Sequence, residues 1–328
     1  MSAFDAEAVL PTSLLKKITD LRIVDPGLSM RVANARARRN SLTARGGVND
    51  GRLLLIAMDH PARGVTRVGD APLGMANRRD LLARIMRAMQ ADTVDGILAS
   101  MDILEDLFVL HELLPLDAGG RFLDNKVVLA SFNRGGLAGA AWELDDPMTG
   151  ASAQTCSAWN LDGGKVLLRV ALEERDSLKT LEAVARTVTE MNAEGLPTFL
   201  EPLVVSRVEG QWKVDTRAEP NARLVGIASA LGDSSRLTWL KVPFMTDLSQ
   251  VAQATTLPML LLGGESAGDP KPLLRDIDAG LRAGHNVRGA LVGRNVLFPG
   301  AADPLAVARA AGGLIHQGWS LAKAEELS

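Results

Sequence analysis

The sequence predicts an α/β chain folded as a single (β/α)8 barrel of the TIM type, with an N-terminal helical extension. Three observations predict it. Eight apolar runs of four to six residues, each bounded by turn residues, recur from residue 53 onward. Segments with helical spacing separate them. A length of 328 residues holds one large barrel and leaves no linker or low-complexity tract to divide it. Near-continuous apolar strands alternating with helices belong to a parallel sheet buried on both faces, and eight such units close on themselves.

Residues 1–50 read as one or two helices, the second rich in arginine (Arg31, Arg36, Arg38, Arg39, Arg45). A solvated helix face is the plain reading of that stretch, with phosphate or nucleic-acid contact as the alternative. The barrel spans 51–313. Its strands are expected at Leu53–Met58, Gly96–Ala99, Val127–Phe132, Val166–Val170, Thr198–Leu203, Thr238–Pro243, Met259–Leu262 and Gly289–Val292. Helical spacing occupies Arg79–Ala91, Asp176–Glu194, Glu219–Leu231, Leu248–Thr255, Pro272–Ala283 and Pro304–Ile315, and 314–328 reads as a helical tail. Two long connections stand out: Asn133–Gly150 after strand three, and Val204–Thr216 after strand five, a small hairpin turning at Glu209-Gly210. Both belong at the C-terminal face, where barrels of this kind carry their active sites.

Composition narrows the function. The chain is 47% hydrophobic and 23% charged with a net charge of -3, which gives no general attraction to nucleic acid. The single Cys156 forms no intrachain disulfide and fits a reducing cytoplasm. The apolar runs are too short to span a bilayer, so no membrane partner is expected. Tyrosine is absent, and the four histidines are scattered, which argues against a His-rich metal site. Lysine is scarce, nine against twenty-seven arginines, so a lysine inside an apolar run needs a reason.

Lys241 sits in TWLKVPF on strand six. A buried amine is desolvated, its neutral form is favoured, and it becomes a nucleophile towards carbonyls; the alternative is a buried stem whose head reaches solvent or an acid. Lys165, at the start of strand four, shares a strand face with Leu167 and Arg169. It either lies near Lys241, or binds an anion, or pairs with Glu201 or Asp59. Glu201 on strand five can move protons or act as a counter-ion. Asp59 and His60 end strand one, in a proton-transfer role or as turn chemistry. Gly263 and Gly264 after strand seven, with Gly293 and Arg294 after strand eight, offer backbone N–H groups and a guanidinium where this fold binds phosphate. Asn133 and Arg134 stand at the mouth of strand three, placed for the far end of a substrate or for holding the loop.

These residues resemble a known family, the class I aldolases that include relatives of deoxyribose-phosphate aldolase, archaeal-type fructose-bisphosphate aldolase and tagatose-bisphosphate aldolase. The resemblance is carried by AMDHPARG (57–64), DGGKVLLR (162–169), FLEPL (199–203), WLKVP (239–243), LLGGES (261–266) and ALVGRNVLFP (290–299). It implies a Schiff base on Lys241, phosphate at Gly293 and Arg294, proton handling by Glu201, and Lys165 and Asp59 in the site. The archaeal-type enzymes use a tyrosine proton donor, which this chain lacks, so that duty passes to Glu201. Arg169 stands where the tagatose branch has an aromatic residue, which implies an additional carboxylate or sulfonate on the substrate.

The nearest likeness is to barrel proteins of sugar or inositol catabolism. It implies a metal-independent, cofactor-free lyase that cleaves a phosphorylated ketose or keto-sugar acid, for example a ketose bisphosphate or a 2-deoxy-5-keto-gluconate 6-phosphate-like compound, and that self-associates as a homo-oligomer. A phosphosugar isomerase or epimerase would need no imine. A thiolase- or transaldolase-like transferase would need an acceptor. A sugar-phosphate-binding barrel would show no turnover.

Overall fold

The computed structural model describes residues 4–114 and 121–328; residues 1–3 of the expected N-terminal extension lie outside the described residues. Eight parallel strands form the sheet: β1 (Leu53–Met58), β2 (Gly96–Ala99), β3 (Val127–Ser131), β4 (Gly163–Val170), β5 (Thr198–Val208), β6 (Thr238–Pro243), β7 (Met259–Leu262) and β8 (Val287–Val292). Each pairs with its neighbours in chain order, β8 returns to β1, and the β4–β5 pairing completes a closed barrel. A helix follows every strand: α1 (Arg78–Met89), α2 (Met101–Leu113), α3 (Ala153–Ala158), α4 (Asp176–Ala193), α5 (Ala218–Ser229), α6 (Leu248–Gln253), α7 (Lys271–Ala283) and α8 (Pro304–His316). Asn77 and Asp303 cap α1 and α8 by accepting backbone N–H bonds, and Pro304 opens α8 where its missing N–H costs nothing.

Four strand boundaries differ from expectation. β3 ends at Ser131 rather than Phe132, and β8 begins at Val287 rather than Gly289. β4 begins at Gly163 rather than Val166, which places Lys165 well inside the strand. The apolar pattern does not register the two preceding glycines, yet both are needed. Gly163 has φ +153°, and a Cβ on Gly164 would lie 2.4 Å from the Phe132 ring. β5 runs on to Val208 and pairs antiparallel with Gln211–Val214, the expected hairpin, with Glu209 and Gly210 both at positive φ. α2 is not among the expected helices: its residues Ile103, Leu104 and Asp106 to His111 are all buried, which leaves only a narrow polar stripe at Asp102, Glu105 and Glu112.

The arginine-rich stretch requires a correction. Among the described residues the extension contains three helices, Ala6–Val9, Thr12–Val24 and Leu28–Ala35, and of the five arginines only Arg31 lies in one. Arg36 is 3% exposed and donates to Asp162 Oδ2 at 2.6 Å and to the carbonyls of Lys126 and Asn160 at 3.0 Å. Arg38 and Arg39 follow it onto Asp162 and Asp95. These carboxylates precede β4 and β2, so the stretch caps the N-terminal end of the barrel and is not a solvated face. The partners lie from 56 to 126 residues away in sequence, which is why local pattern does not reveal them.

Inside the barrel, alternate residues of the strands point inward. Leu53, Leu55 and Ala57 of β1, Leu98, Val127, Leu129, Phe199, Leu260 and Leu291 form a dry plug, with Leu42 and Trp239 against it. Each large side chain so buried contributes on the order of 1.5–3 kcal/mol. A second apolar group, Leu144, Leu167, Ala171, Leu203 and Val205, gathers towards the C-terminal face. Between these layers the inward positions turn polar. Among the described residues, no helix is long and apolar enough to cross a membrane.

Candidate active site

Continuing the inward alternation past the plug brings Asp59 after β1, Ser131 on β3, Lys165 on β4, Glu201 on β5 and Lys241 on β6 into one layer. Glu201 is the centre. Its Oε2 lies 2.5 Å from Lys165 Nζ and its Oε1 lies 3.1 Å from Lys241 Nζ, so one carboxylate holds both amines. Asp59 Oδ2 lies 3.4 Å from Lys165 Nζ, accepts from Ser131 Oγ at 2.8 Å, and ion-pairs with Arg134 Nη2 at 2.8 Å. Lys165 is 1% exposed, Lys241 4% and Asp59 2%, so these charges meet away from water.

Burial and neighbouring charges set the protonation states. Burial opposes ionisation of Glu201, but Lys165 and Lys241 overcome it and hold the carboxyl down at about 2. Asp59 follows the same logic: burial opposes its charge, and Arg134 and then Lys165 carry it well below the ordinary carboxylate range. Burial, reinforced by Arg134, lowers Lys165 to about 8 despite its two carboxylates. His60 is lowered to about 3, by burial against a pull from Asp59, with Arg294 and Lys241 adding to the depression. Its imidazole is therefore neutral at pH 7.

The expected phosphate turns converge beside this layer. Gly264 has φ +64°, and a Cβ on Gly293 would meet the Ala57 carbonyl at 2.1 Å and His60 Cε1 at 3.3 Å, so only glycine lets the turn after β8 press onto β1. Asn295 ties the two turns together by donating to the Gly263 carbonyl. The Arg294 side chain is 14% exposed, lies 3.5 Å from Glu265 Oε1, and leaves a buried Nε without a hydrogen-bond partner among the described residues. An under-satisfied guanidinium beside glycine turns suits an anion.

Arg169, expected to meet an anionic group of the substrate, is engaged within the protein, and Asn133 takes the loop-holding alternative. Arg169 donates to Glu143 and to the carbonyl of Gly136, and Asn133 bonds both the N–H and the C=O of Leu167 at 2.7 and 2.6 Å. Both side chains hold the 133–150 loop onto β4. Arg134, from the same loop, turns inward, with its Nε on Ser131 Oγ at 2.8 Å and its Nη2 on Asp59. Among the described residues no group of three or more His, Cys, Asp or Glu side chains gathers as a metal site.

Residues 51–311 match the family model described as Cgl0159-like. The chain belongs to the Cgl0159-like family. The crystal structure of Cgl0159 from Corynebacterium glutamicum (Brevibacterium flavum) is 35% identical, with 95% of this chain and 99% of that one covered and a TM-score of 0.86. A fructose-bisphosphate aldolase from Slackia heliotrinireducens DSM 20476 matches at 15% identity over 99% of this chain and 95% of its own, TM-score 0.62. An archaeal fructose 1,6-bisphosphate aldolase matches at 19% over 82% and 95%, TM-score 0.57. At these last identities the likeness is one of fold. No curated protein matches the chain.

Ser131 was not singled out in the sequence, although the alternation of Val127 and Leu129 on β3 places a hydroxyl at the next inward position. Glu143 was also missed. It takes Arg63 at 3.3 Å, Arg169, and the Gly139 N–H at 2.8 Å, and so fixes the long loop as a wall of the mouth. Its signal lay only in its partners, which come from three separate parts of the chain.

Proposed function

We propose that the chain is a class I aldolase whose nucleophile is Lys241, acting on a phosphorylated ketose or keto-sugar acid. The observation that carries the reading is Glu201 bridging two buried lysines inside the barrel mouth, one oxygen to each. Among the described residues Lys241 has that single carboxylate partner, whereas Lys165 is held by two. The less restrained amine is the one free to attack. Its proton can pass through Glu201 to Lys165 when that amine is neutral, a form that its lowering to about 8 makes more populated.

The neutral Lys241 adds to the substrate ketone, and loss of water gives an iminium. The bond between the carbons α and β to that iminium then breaks. Its electrons enter the iminium to form an enamine, the hydroxyl on the departing carbon loses its proton, and an aldehyde leaves. Protonation of the enamine and hydrolysis return the amine. Arg294 with the N–H groups around Gly264 and Gly293 holds the phosphate, fixing the carbonyl at Lys241. Arg134 is the cation nearest the distal half of the substrate. The solved aldolase structures that share this barrel support the reading as precedent for the fold.

Incubation with ketose phosphates and borohydride, followed by peptide mass spectrometry, tests it. The expected product is a reduced adduct on Lys241. Absence of any adduct, an adduct on Lys165 alone, or full activity in Lys241→Met would sink the proposal, the first in favour of an isomerase or epimerase.

A further inference from the structure

The aldolase reading leaves one question open, namely which group takes the hydroxyl proton as the carbon–carbon bond breaks and returns it to the enamine carbon. Tyrosine is absent from the chain. Glu201 is badly placed for this duty, because both its oxygens are held by lysines. Asp59 is differently used. Ser131, Arg134 and Lys165 all converge on its Oδ2, and no hydrogen bond reaches Oδ1 among the described residues. His60 Nδ1 lies 4.0 Å from Oδ1.

His60 has the complementary gap. Its Nδ1 is buried without a hydrogen-bond partner among the described residues, while its side chain as a whole is 23% exposed. A small side-chain rotation closes 4.0 Å to a hydrogen bond. The ring also lies against Gly293, on the flank between the amine and the phosphate turn, where Lys241 and Arg294 both act on its charge. A ketone tethered to Lys241 with its phosphate at Arg294 runs past this imidazole.

We infer that Asp59 and His60 form a dyad in which His60 is the acid–base catalyst of the carbon–carbon step, with Asp59 as its positioning residue. The inference rests on the aldolase reading above. His60 accepts the hydroxyl proton as the carbon–carbon electron pair moves into the iminium, and Asp59 Oδ1 stabilises the resulting imidazolium. The imidazolium then delivers that proton to the enamine carbon and regenerates the iminium for hydrolysis. One proton is taken and one returned, so the ring ends neutral. Substrate phosphate at Arg294 favours the charged ring by cancelling a positive neighbour. Hydrogen bonds from Ser131 and Lys165 and the ion pair with Arg134 on Oδ2 keep Asp59 ionised for this purpose, and Ser131 and Arg134 thereby act through it.

The test separates imine formation from proton transfer. Dihydroxyacetone phosphate is incubated with wild type in D2O, and two quantities are read: the borohydride-trapped adduct on Lys241 and the rate of α-hydrogen exchange. In His60→Gln the adduct is expected to persist while exchange falls by about 10²-fold or more. In Asp59→Asn exchange is expected to fall less, by about tenfold. In His60→Ala added imidazole is expected to restore exchange, a response that a merely structural role would not give. The dyad is overturned if His60→Gln exchanges at the wild-type rate, if adduct and exchange are lost in parallel, or if imidazole gives no rescue. If wild type forms no adduct, the aldolase reading itself fails and the dyad falls with it.

Discussion

The two ends of the barrel both bury clusters of opposite charge, and they differ in how completely the charges are satisfied. At the N-terminal end Asp162 takes Arg36, Arg38 and the Val128 N–H, while Asp95 takes Arg39, the Leu54 N–H and His316 Nε2 at 2.8 Å. His316 Nδ1 reaches Asp50 at 2.7 Å, which pins the end of α8 to the start of β1. Most polar atoms there have a fixed partner, and Arg36 Nε, Thr93 Oγ1 and His111 Nε2 are the buried ones that lack a hydrogen bond among the described residues. At the C-terminal end Glu201 shares itself between two amines, Asp59 leaves one oxygen unused, and His60 Nδ1 and Arg294 Nε have no partner among the described residues. The same ionic chemistry locks the chain where it is complete and is available to a ligand where it is not.

The sharpest way to break this comparison is to remove one charge from each end. Lys241→Met keeps the length and apolar stem of the side chain. It is expected to abolish turnover by at least about 10³-fold while the melting temperature holds or rises, since a buried charge that is costly to desolvate is gone. Asp95→Asn is expected to do the reverse. Stranding Arg39 and His316 costs about 3–5 kcal/mol of stability, read by urea unfolding, with kcat/KM of the folded fraction unchanged. If Asp95→Asn instead lowers turnover without lowering stability, the division of labour between the ends is wrong.

Two smaller changes grade the upper end. Glu201→Gln is expected to lower kcat by about 10²- to 10³-fold, because it breaks the relay between the lysines. Arg294→Ala is expected to raise KM for a phosphorylated substrate by about 10- to 100-fold with kcat altered only a few-fold, the effect of losing charge-assisted hydrogen bonds that do not change along the reaction. A fall in kcat equal to the rise in KM would move Arg294 from the phosphate to the reacting centre.

The upper end was legible in the sequence and the lower end was not, for a physical reason. Strand alternation has period two, so once TWLKVPF, PTFLEPL and GGKVLLRV are read as strands, Lys241, Glu201 and Lys165 must share the barrel interior. Position along the strand then supplies the layer. Arg36, Arg38, Arg39, Asp95 and Asp162 sit instead in connections, and His316 is the last residue of α8, where no period constrains a partner, and their pairings span most of the chain. The same rule explains the misreading inside the upper end. Arg169 is on the correct strand face, but its partner Glu143 lies in the 133–150 loop, and loop geometry has no sequence period.

A lysine at each end allows the finest test, because both ammonium groups are lowered to about 8, chiefly by burial. Lys165 is further depressed by Arg134, whereas Lys126, which donates to the Val94 carbonyl, is partly relieved by Asp95. A lysine whose folded value lies below its unfolded value of 10.5 binds fewer protons in the folded state between the two. Its stability cost is full below about 8 and disappears as pH rises towards 10.5. Unfolding free energy should therefore rise with pH in that window, by at most about 1.4 kcal/mol per pH unit for each lysine. Glu201, lowered to about 2, acts in the acid window: its stabilising contribution is present above its unfolded value of 4.5 and is lost as pH falls towards 2, so stability rises with pH there too. Lys126→Met should flatten the alkaline rise and leave turnover intact. Lys165→Met should flatten it equally and also slow imine formation on Lys241, since the proton relay loses its terminus. Equal effects of the two substitutions on imine formation would show that the relay does not pass through Lys165.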